Sequence, residues 1–367
     1  MHVALLANTA WLDEELAMFR HLVVGLLDGQ ARVVQVVPAG LGKDESVLFG
    51  DRLEWSDSDW AGRRRRRLAA LAGELGQMGV NLIHALDGRV WSGGFDLAQH
   101  LGCAAVYRCN SSFDVTLAGR FAKRIDLLRM AFDVATEPLA QAVEQVVSSQ
   151  AIIERIPNGV YLSDRPTAFA GFGRNQMDDG ALCAVISGNA HYDVDYESLF
   201  EALPPILADY PQLQLFMDGI GSQHQLWQAA RRFGLLGNMS FVPRRLGHRE
   251  LLLRADVLIH PQALGRVRSL TLQAMAAGMT VVARADPWVD YLIDGQTAWL
   301  INASRPELWA QRLRKLLDDV HAARQLGLEA RQWIGQHYPA VRQVNQTHML
   351  YRRVTGESIK FVQEGAS

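Results

Sequence analysis

The stretch DVLIHPQALGRVRSLTLQAMAAGMTVVA, Asp256–Ala283, decides how the rest of the chain is read. Val257–His260 is a short apolar run stopped by Pro261, as in a buried strand. A turn with Gly265 and two arginines follows, then a helix beginning near Ser269, then a second apolar run at Met279–Ala283. Strand, turn, helix and strand in that order are the unit of a parallel sheet covered by helices. The turn feeds a helix start, where backbone N–H groups lack intrahelical partners and attract anions such as phosphate.

The same alternation runs outward in both directions. Upstream, VALLA (Val3–Ala7), RVVQVV (Arg32–Val37), NLIHAL (Asn81–Leu86), AAVYRC (Ala104–Cys109), FDVAT near Phe132 and AIIERIPNG from Ala151 read as strands. Leu12, Leu16, Phe19, Leu22, Val23 and Leu26 recur at helical spacing between the first two, and another helix covers Phe95–Leu101. Residues 162–180, LSDRPTAFAGFGRNQMDDG, have no clean period and are rich in Gly, Pro and Asp, so they read as a linker. Beyond them come ALCAVISG, LQLFMDG, MSFVP, DVLIHP, MTVVA and AWLI, with helices around Ser198–Ala208 and Arg249–Arg254 and a long helical tail. Two α/β doubly wound domains are expected: residues 1–160, a linker at 161–180, residues 181–337, and a last helical segment at 338–367. In such sheets ligands bind outside the carboxyl ends of the strands, here in a cleft between the domains.

A length of 367 residues with 49% hydrophobic residues supports two cores. A net charge of −2 gives no general pull toward nucleic acid. Cys103, Cys109 and Cys183 fit neither a disulfide framework nor a zinc spacing. The opening MHVALLANTA lacks a signal-peptide pattern and no apolar run is membrane-spanning, so a cytoplasmic protein is expected. The run Arg63, Arg64, Arg65, Arg66, Arg67 has two readings. One is weak peripheral contact with an anionic inner membrane face, at about 1 kcal/mol per arginine near the surface. The other is a solvated face, paired with the acids of DRLEWSDSDW, because five consecutive helical residues point all round.

Several segments together resemble the retaining group 1 glycosyltransferases of GT-B fold. They are ERIPNGVYLSD (Glu154–Asp164), LLRADVLIHPQ, LTLQAMAAGMTVVA, DYLIDGQTAWLI and the tail YPAVRQVNQTHMLYRRVTG. The resemblance implies two Rossmann-like domains facing a cleft, with a last helix crossing back to the first. It implies a nucleotide-sugar donor held by the second domain and a carbohydrate or lipid-linked acceptor held by the first. Transfer would proceed with retention, without a required metal or cofactor; UDP- and GDP-sugars fit alike.

Departures from the family pattern decide what chemistry survives. On the AMAAG segment, the family's two motif glutamates fall at Gly265 and Gln273. Its diphosphate-binding arginine, after the first strand of the second domain, falls at Asn189 beside Gly188, and no lysine follows. Its first-domain histidine falls at Asn110, and the glycine pair after the first strand is missing, with Trp11 there instead. Gln273 can still accept from a ribose hydroxyl, but as a neutral group, at about 0.5–1.5 rather than 1.5–3 kcal/mol. Each lost donor to the departing diphosphate costs more, about 2.7–4 kcal/mol in the transition state.

Arg266 and Arg268, in the turn before Ser269, are candidate replacement cations or else solvated loop arginines, with Ser269 as the expected N-cap. Two guanidinium groups at a helix start would chelate a diphosphate bidentately. Val267 and Leu270 flank them at the same site. Gly219, in the turn DGIGS, lets backbone approach the donor, and Arg244 and Arg245 follow a strand near the nucleotide base. Asp193, Asp195 and Glu197 read as helix-start acids, His84 as a hydrogen-bonded structural residue, and His260 as pointing into the same crevice. Two functions stay open: an active nucleotide-sugar glycosyltransferase, or a GT-B-shaped protein that has lost transfer and acts as a binding or scaffolding partner.

Overall fold

The computed structural model describes residues 1–40, 49–55, 61–127, 129–147, 151–169, 182–189, 191–218, 224–242 and 252–356, with backbone alone at 61–64 and 125–127. Contacts divide the chain into two units, Met1–Gly159 with the segment from Ala340, and Val160–Pro339.

The first unit is built on a parallel sheet of seven strands in the order β3-β2-β1-β4-β5-β6-β7. These are β1 (His2–Leu6), β2 (Arg32–Pro38), β3 (Asp51–Trp55), β4 (Leu82–Ala85), β5 (Ala104–Cys109), β6 (Met130–Val134) and β7 (Ile152–Arg155). β1 is buried at every position, which is why it reads as an unbroken apolar run rather than an alternating one. Helix α1 (Thr9–Asp28) starts where the Asn8 side chain accepts the Trp11 N–H at 2.9 Å. It buries Leu12, Phe19, Leu22, Val23 and Leu26 on one stripe, at about 1.5–3 kcal/mol per large side chain. Leu16 packs on the same core from a partly buried position. Helices α2 (Ala61–Gln77), α3 (Trp91–Leu101), α4 (Ser112–Phe121) and α5 (Glu137–Val146) complete the crossovers. β3 was not anticipated: its charged, partly exposed DRLE looks like a solvated segment, and its place at the sheet edge explains why.

The second unit holds a six-stranded parallel sheet in the order β10-β9-β8-β11-β12-β13. Its strands are β8 (Cys183–Ile186), β9 (Gln214–Met217), β10 (Met239–Phe241), β11 (Val257–His260), β12 (Thr280–Arg284) and β13 (Trp299–Ile301). α6 (Val194–Asp209) is capped by the Asp193 side chain, which accepts from Asp195 N–H and Tyr196 N–H, with Asp195 and Glu197 in its first turn. Those three acids are thus helix-start groups. α7 (His224–Arg232), α8 (Ser269–Ala277), α9 (Pro306–Asp318) and α10 (Val320–His337) follow. The described part of the linker packs on this unit: Thr167 and Ala168 N–H reach Ala277 O, and Phe169 N–H reaches Asp256.

The last helix, α11 (Ala340–Thr355), packs on α1 in the first unit. Gly25 permits the approach, since a methyl group there would collide with the Val344 side chain. Tyr351 of α11 is fully buried, its OH 2.6 Å from His84 Nδ1 on β4. Among the described residues no helix is long and apolar enough to cross a membrane.

Candidate functional site

The second sheet reverses its winding between β8 and β11: β9 and β10 lie to one side of β8, and β11, β12 and β13 to the other. That is where a doubly wound sheet opens a crevice at its carboxyl edge. β8 delivers Ser187, Gly188 and Asn189 there, β9 delivers Asp218, and β11 delivers His260 and Gln262. α8 begins at the same edge.

Arg268 is the N-cap position of α8 and makes no side-chain cap bond; Ser269 is the first helical residue, not the cap. The Arg268 side chain instead runs inward and is 3% exposed. Its guanidinium donates to Ser187 Oγ at 3.0 Å and stands 3.9 Å from Asp218 Oδ2. The Ser187 hydroxyl in turn donates to Asp218 Oδ2 at 2.6 Å. A cation that the sequence puts eight residues beyond β11 therefore arrives at the end of β8, two residues from Asn189. Arg266 is half-buried. An open two-arginine clamp was expected here; the structure instead sinks one arginine into the floor of the crevice.

His260 lies in the same floor. Its Nδ1 is 2.5 Å from Ser187 O, and a carbonyl only accepts, so Nδ1 carries the proton. The 3.4 Å approach of Arg268 to that nitrogen is therefore a contact between donors rather than a hydrogen bond. Burial, then the Arg268 charge, hold the imidazole pKa down to about 3, so His260 is neutral.

Gln262, 1% exposed, clamps the turn after β8. Its Oε1 accepts the Asn189 N–H at 2.8 Å, and its Nε2 donates to Asn189 Oδ1 at 3.0 Å, to His191 O at 3.3 Å and to Asp193. Gly188 is required by this packing: a Cβ there would collide with Gln262 Oε1 and lie 2.6 Å from Tyr196 OH. Gly265 is required for another reason. Its φ is +62°, a left-handed conformation in which a side chain is strained. Its N–H is held by Asp286 Oδ2 at 2.7 Å, and Asp286 Oδ1 takes the Trp288 N–H at 3.0 Å. Burial raises the Asp286 pKa.

Of the other expected donor-site residues, Val267 and Leu270 are core residues, each 2% exposed, so their side chains do not face a ligand; only their backbone lies at the turn. Gln273 is half-buried on α8, one turn beyond Ser269. Asn189 is exposed at the rim. Gly219, Arg244 and Arg245 lie outside the described residues. Among the described residues no three His, Cys, Asp or Glu groups gather as a metal set.

In the first unit, Asn110 follows β5 and is 9% exposed. Its Oδ1 accepts from Arg108 Nε at 3.0 Å, its Nδ2 donates to Leu86 O at 3.2 Å, and its N–H donates to Asp114 at 2.9 Å. Both ends of its amide are thus engaged inside the unit. Arg108 is itself buried, donating to Asp133, to Asn158 and, at 2.8 Å, to Ile156 O. His84 Nε2 lies 3.6 Å from Asp133 Oδ2; burial, then the Arg108 charge, lower the His84 pKa to about 3. His84 is structural, as read from the sequence.

The sequence reading missed Ser187, Gln262, Asp286 and Tyr196, and took Asp218 only as part of a turn. A glutamine directly after strand-Pro, at the carboxyl edge of β11, was the one available signal for Gln262.

Residues 183–319 match the family model of group 1 glycosyl transferases. No curated protein matches the chain. Solved structures share the fold across its length. Sucrose-phosphate synthase from Thermosynechococcus elongatus superimposes with a TM-score of 0.77 at 18% identity, covering 98% of this chain and 100% of that one. HepE of Anabaena, in complex with UDP-glucose, gives 0.74 at 15% identity, covering 96% and 100%. A glycosyltransferase from Rickettsia africae gives 0.70 at 11% identity, covering 97% and 99%. The match to group 1 glycosyl transferases thus falls within the second unit, and the chain as a whole has the GT-B fold.

Proposed function

We propose that the chain transfers a sugar from a nucleotide-sugar donor to a carbohydrate or lipid-linked acceptor, with retention and without a bound metal. The observation that carries this reading is the Arg268 guanidinium, 3.0 Å from Ser187 Oγ at the switch point of the second sheet. The family's cation is missing from Asn189, yet a fixed cation stands beside that position. The departing diphosphate would be met by Arg268 from the floor, by Arg266 from the half-buried turn, and by the amino end of α8. Preorganised positive groups of this kind supply the largest share of catalysis in transfers that expel an anion. Gln273 would hold the ribose and the first unit, near Asn110, the acceptor. HepE, of the same fold, was solved with UDP-glucose, so a UDP-sugar is the donor class to try first.

Thermal shift with UDP and GDP is the first test. A nucleoside diphosphate at about a hundred times its Kd stabilises by about 2.7 kcal/mol. Release of UDP from UDP-glucose, with and without added acceptors, then reads transfer. Absence of any shift with both nucleotides would overturn the reading.

A second reading, a GT-B-shaped binding partner without transfer, is favoured by one observation: the Asn110 amide is spent on Arg108 and Leu86, in the place of the family's histidine. Nucleotide binding without turnover of UDP- or GDP-sugars would select it. The proposal includes a cytoplasmic location and weak peripheral membrane contact. Arg65, Arg66 and Arg67 are exposed on α2. Co-sedimentation with phosphatidylserine vesicles but not phosphatidylcholine vesicles tests the contact.

A further inference from the structure

Asn189 stands where the sequence pattern has lost a cation, and the atoms around it fix what it does instead. Gln262 Oε1 receives a backbone N–H, that of Asn189, so this end of the glutamine is the oxygen and the other end is the donor. That donor, Nε2, faces Asn189 Oδ1 at 3.0 Å. The backbone N–H of His191 faces the same atom at 3.0 Å. Two donors meet one atom, so it must be the oxygen, and the Asn189 amide has a single permitted orientation. Asn189 is an exposed residue, and among the described residues its Nδ2 makes no hydrogen bond.

We infer that Gln262 is a positioning residue which locks the turn after β8 and thereby presents the Asn189 amide N–H2 as a neutral hydrogen-bond donor to the diphosphate of the nucleotide sugar. This rests on the proposed nucleotide-sugar reading. Gly188 belongs to the same device, because only an absent side chain leaves room for the glutamine oxygen. Gln262 itself is buried and does not touch the ligand; it acts through Asn189. Its bonds to His191 O and to Asp193, the cap of α6, hold the far side of the turn.

The test measures Kd for UDP and GDP by titration calorimetry, and melting temperature, on the full chain. Asn189→Asp keeps an oxygen for Gln262 and His191 but replaces the outward donor with an anionic oxygen, so Kd rises at least about tenfold while melting temperature holds. Gln262→Glu turns the Asn189 amide over, because the new carboxylate demands a donor, and Kd rises by about tenfold, the loss of one donor in a site. It also sets a like charge against Asp193 and lowers the melting temperature. Adding Asp193→Asn to Gln262→Glu removes that repulsion, and the melting temperature returns while Kd stays raised. A glutamine with only a structural role would let both return together, and that result overturns the inference. So does a Kd within twofold of wild type in Asn189→Asp, which decides the matter even if Gln262→Glu does not fold. Failure of the unaltered protein to bind either nucleotide is a different outcome, and it removes the nucleotide-sugar reading itself.

Discussion

Replacing Arg268 with methionine tests the floor of the site most directly. The substitution keeps much of the apolar stem and removes the charge. At 3.9 Å, the attraction between Arg268 and Asp218 is about 4 kcal/mol at an effective dielectric constant of about 20. Asp218 stays behind in a place where its side chain is 1% exposed, with the Ser187 hydroxyl as a remaining donor. Breaking one side of a buried pair costs about 3–5 kcal/mol, which agrees with the Coulomb figure. In a unit spanning Val160–Pro339, that corresponds to a fall in Tm of about 6–20 °C, at about 2–4 °C per kcal/mol. Urea unfolding followed by tryptophan fluorescence reads the loss. Arg268→Met with Asp218→Asn removes both charges, and most of the stability returns while nucleoside diphosphate binding does not. A loss below about 1 kcal/mol in the single variant would show a solvated guanidinium and refute the reasoning.

Further outcomes follow from the same edge and from the first unit. Gly265→Ala costs about 1–2 kcal/mol by chemical denaturation, because φ is +62° there; a neutral result would mean the turn readily relaxes. Gly188→Ala costs about 1–3 kcal/mol through its collision with Gln262 and 2.6 Å approach to Tyr196 OH, again read by denaturation. His260 gives a pH signature. Its folded pKa of about 3 lies below the ordinary 6.5, so between those values the unfolded chain binds the extra proton, and stability falls as pH drops through 6.5. By pH 5 the loss is about 2 kcal/mol, and His260→Gln removes that part of the slope in urea titrations from pH 7.5 to 4.5. Tyr351→Phe deletes the 2.6 Å bond to His84 and costs about 0.5–1.5 kcal/mol, seen as a lowered urea midpoint.

The fold was legible because its signals are local. Strands β1, β4, β5, β6 and β11 are short runs buried at every position, and burial on both faces leaves no alternation to misread. β3 escaped because an edge strand carries charges, as Arg52 and Glu54 do, 3.0 Å apart. The site was legible only in outline. The turn before α8 was visible as two arginines at a helix start, but the direction of Arg268 was set by Ser187 and Asp218, 81 and 50 residues earlier. Gln262 likewise acts on Asn189, 73 residues away. Partners at such separations are chosen by the register of β8 against β11, which pairs Ile186 with Ile259 and so sets Ser187 beside His260. No pattern within a single segment encodes that.

The pairing of Arg268 with Asp218 bears on the proposed transfer in a way opposite to first appearance. A paired cation looks unavailable, but Asp218 is not within hydrogen-bond distance; the Ser187 hydroxyl stands between, donating to one and accepting from the other. The carboxylate therefore stabilises the guanidinium through the serine hydroxyl. An arginine on a mobile loop would lose about 2 kcal/mol of rotamer entropy on gripping a diphosphate. Arg268 has lost it already on folding, and Gln262 and Asp286 fix the turns on either side, at Asn189 and Gly265. Charge held in place before the ligand arrives needs no reorganisation as the diphosphate departs, which is the property electrostatic catalysis requires. On the proposed reading, then, the motif's charged residues are replaced by groups that the fold holds in place before the ligand binds. Loosening the scaffold at Gln262 should therefore weaken nucleotide binding although Gln262 itself never touches the nucleotide.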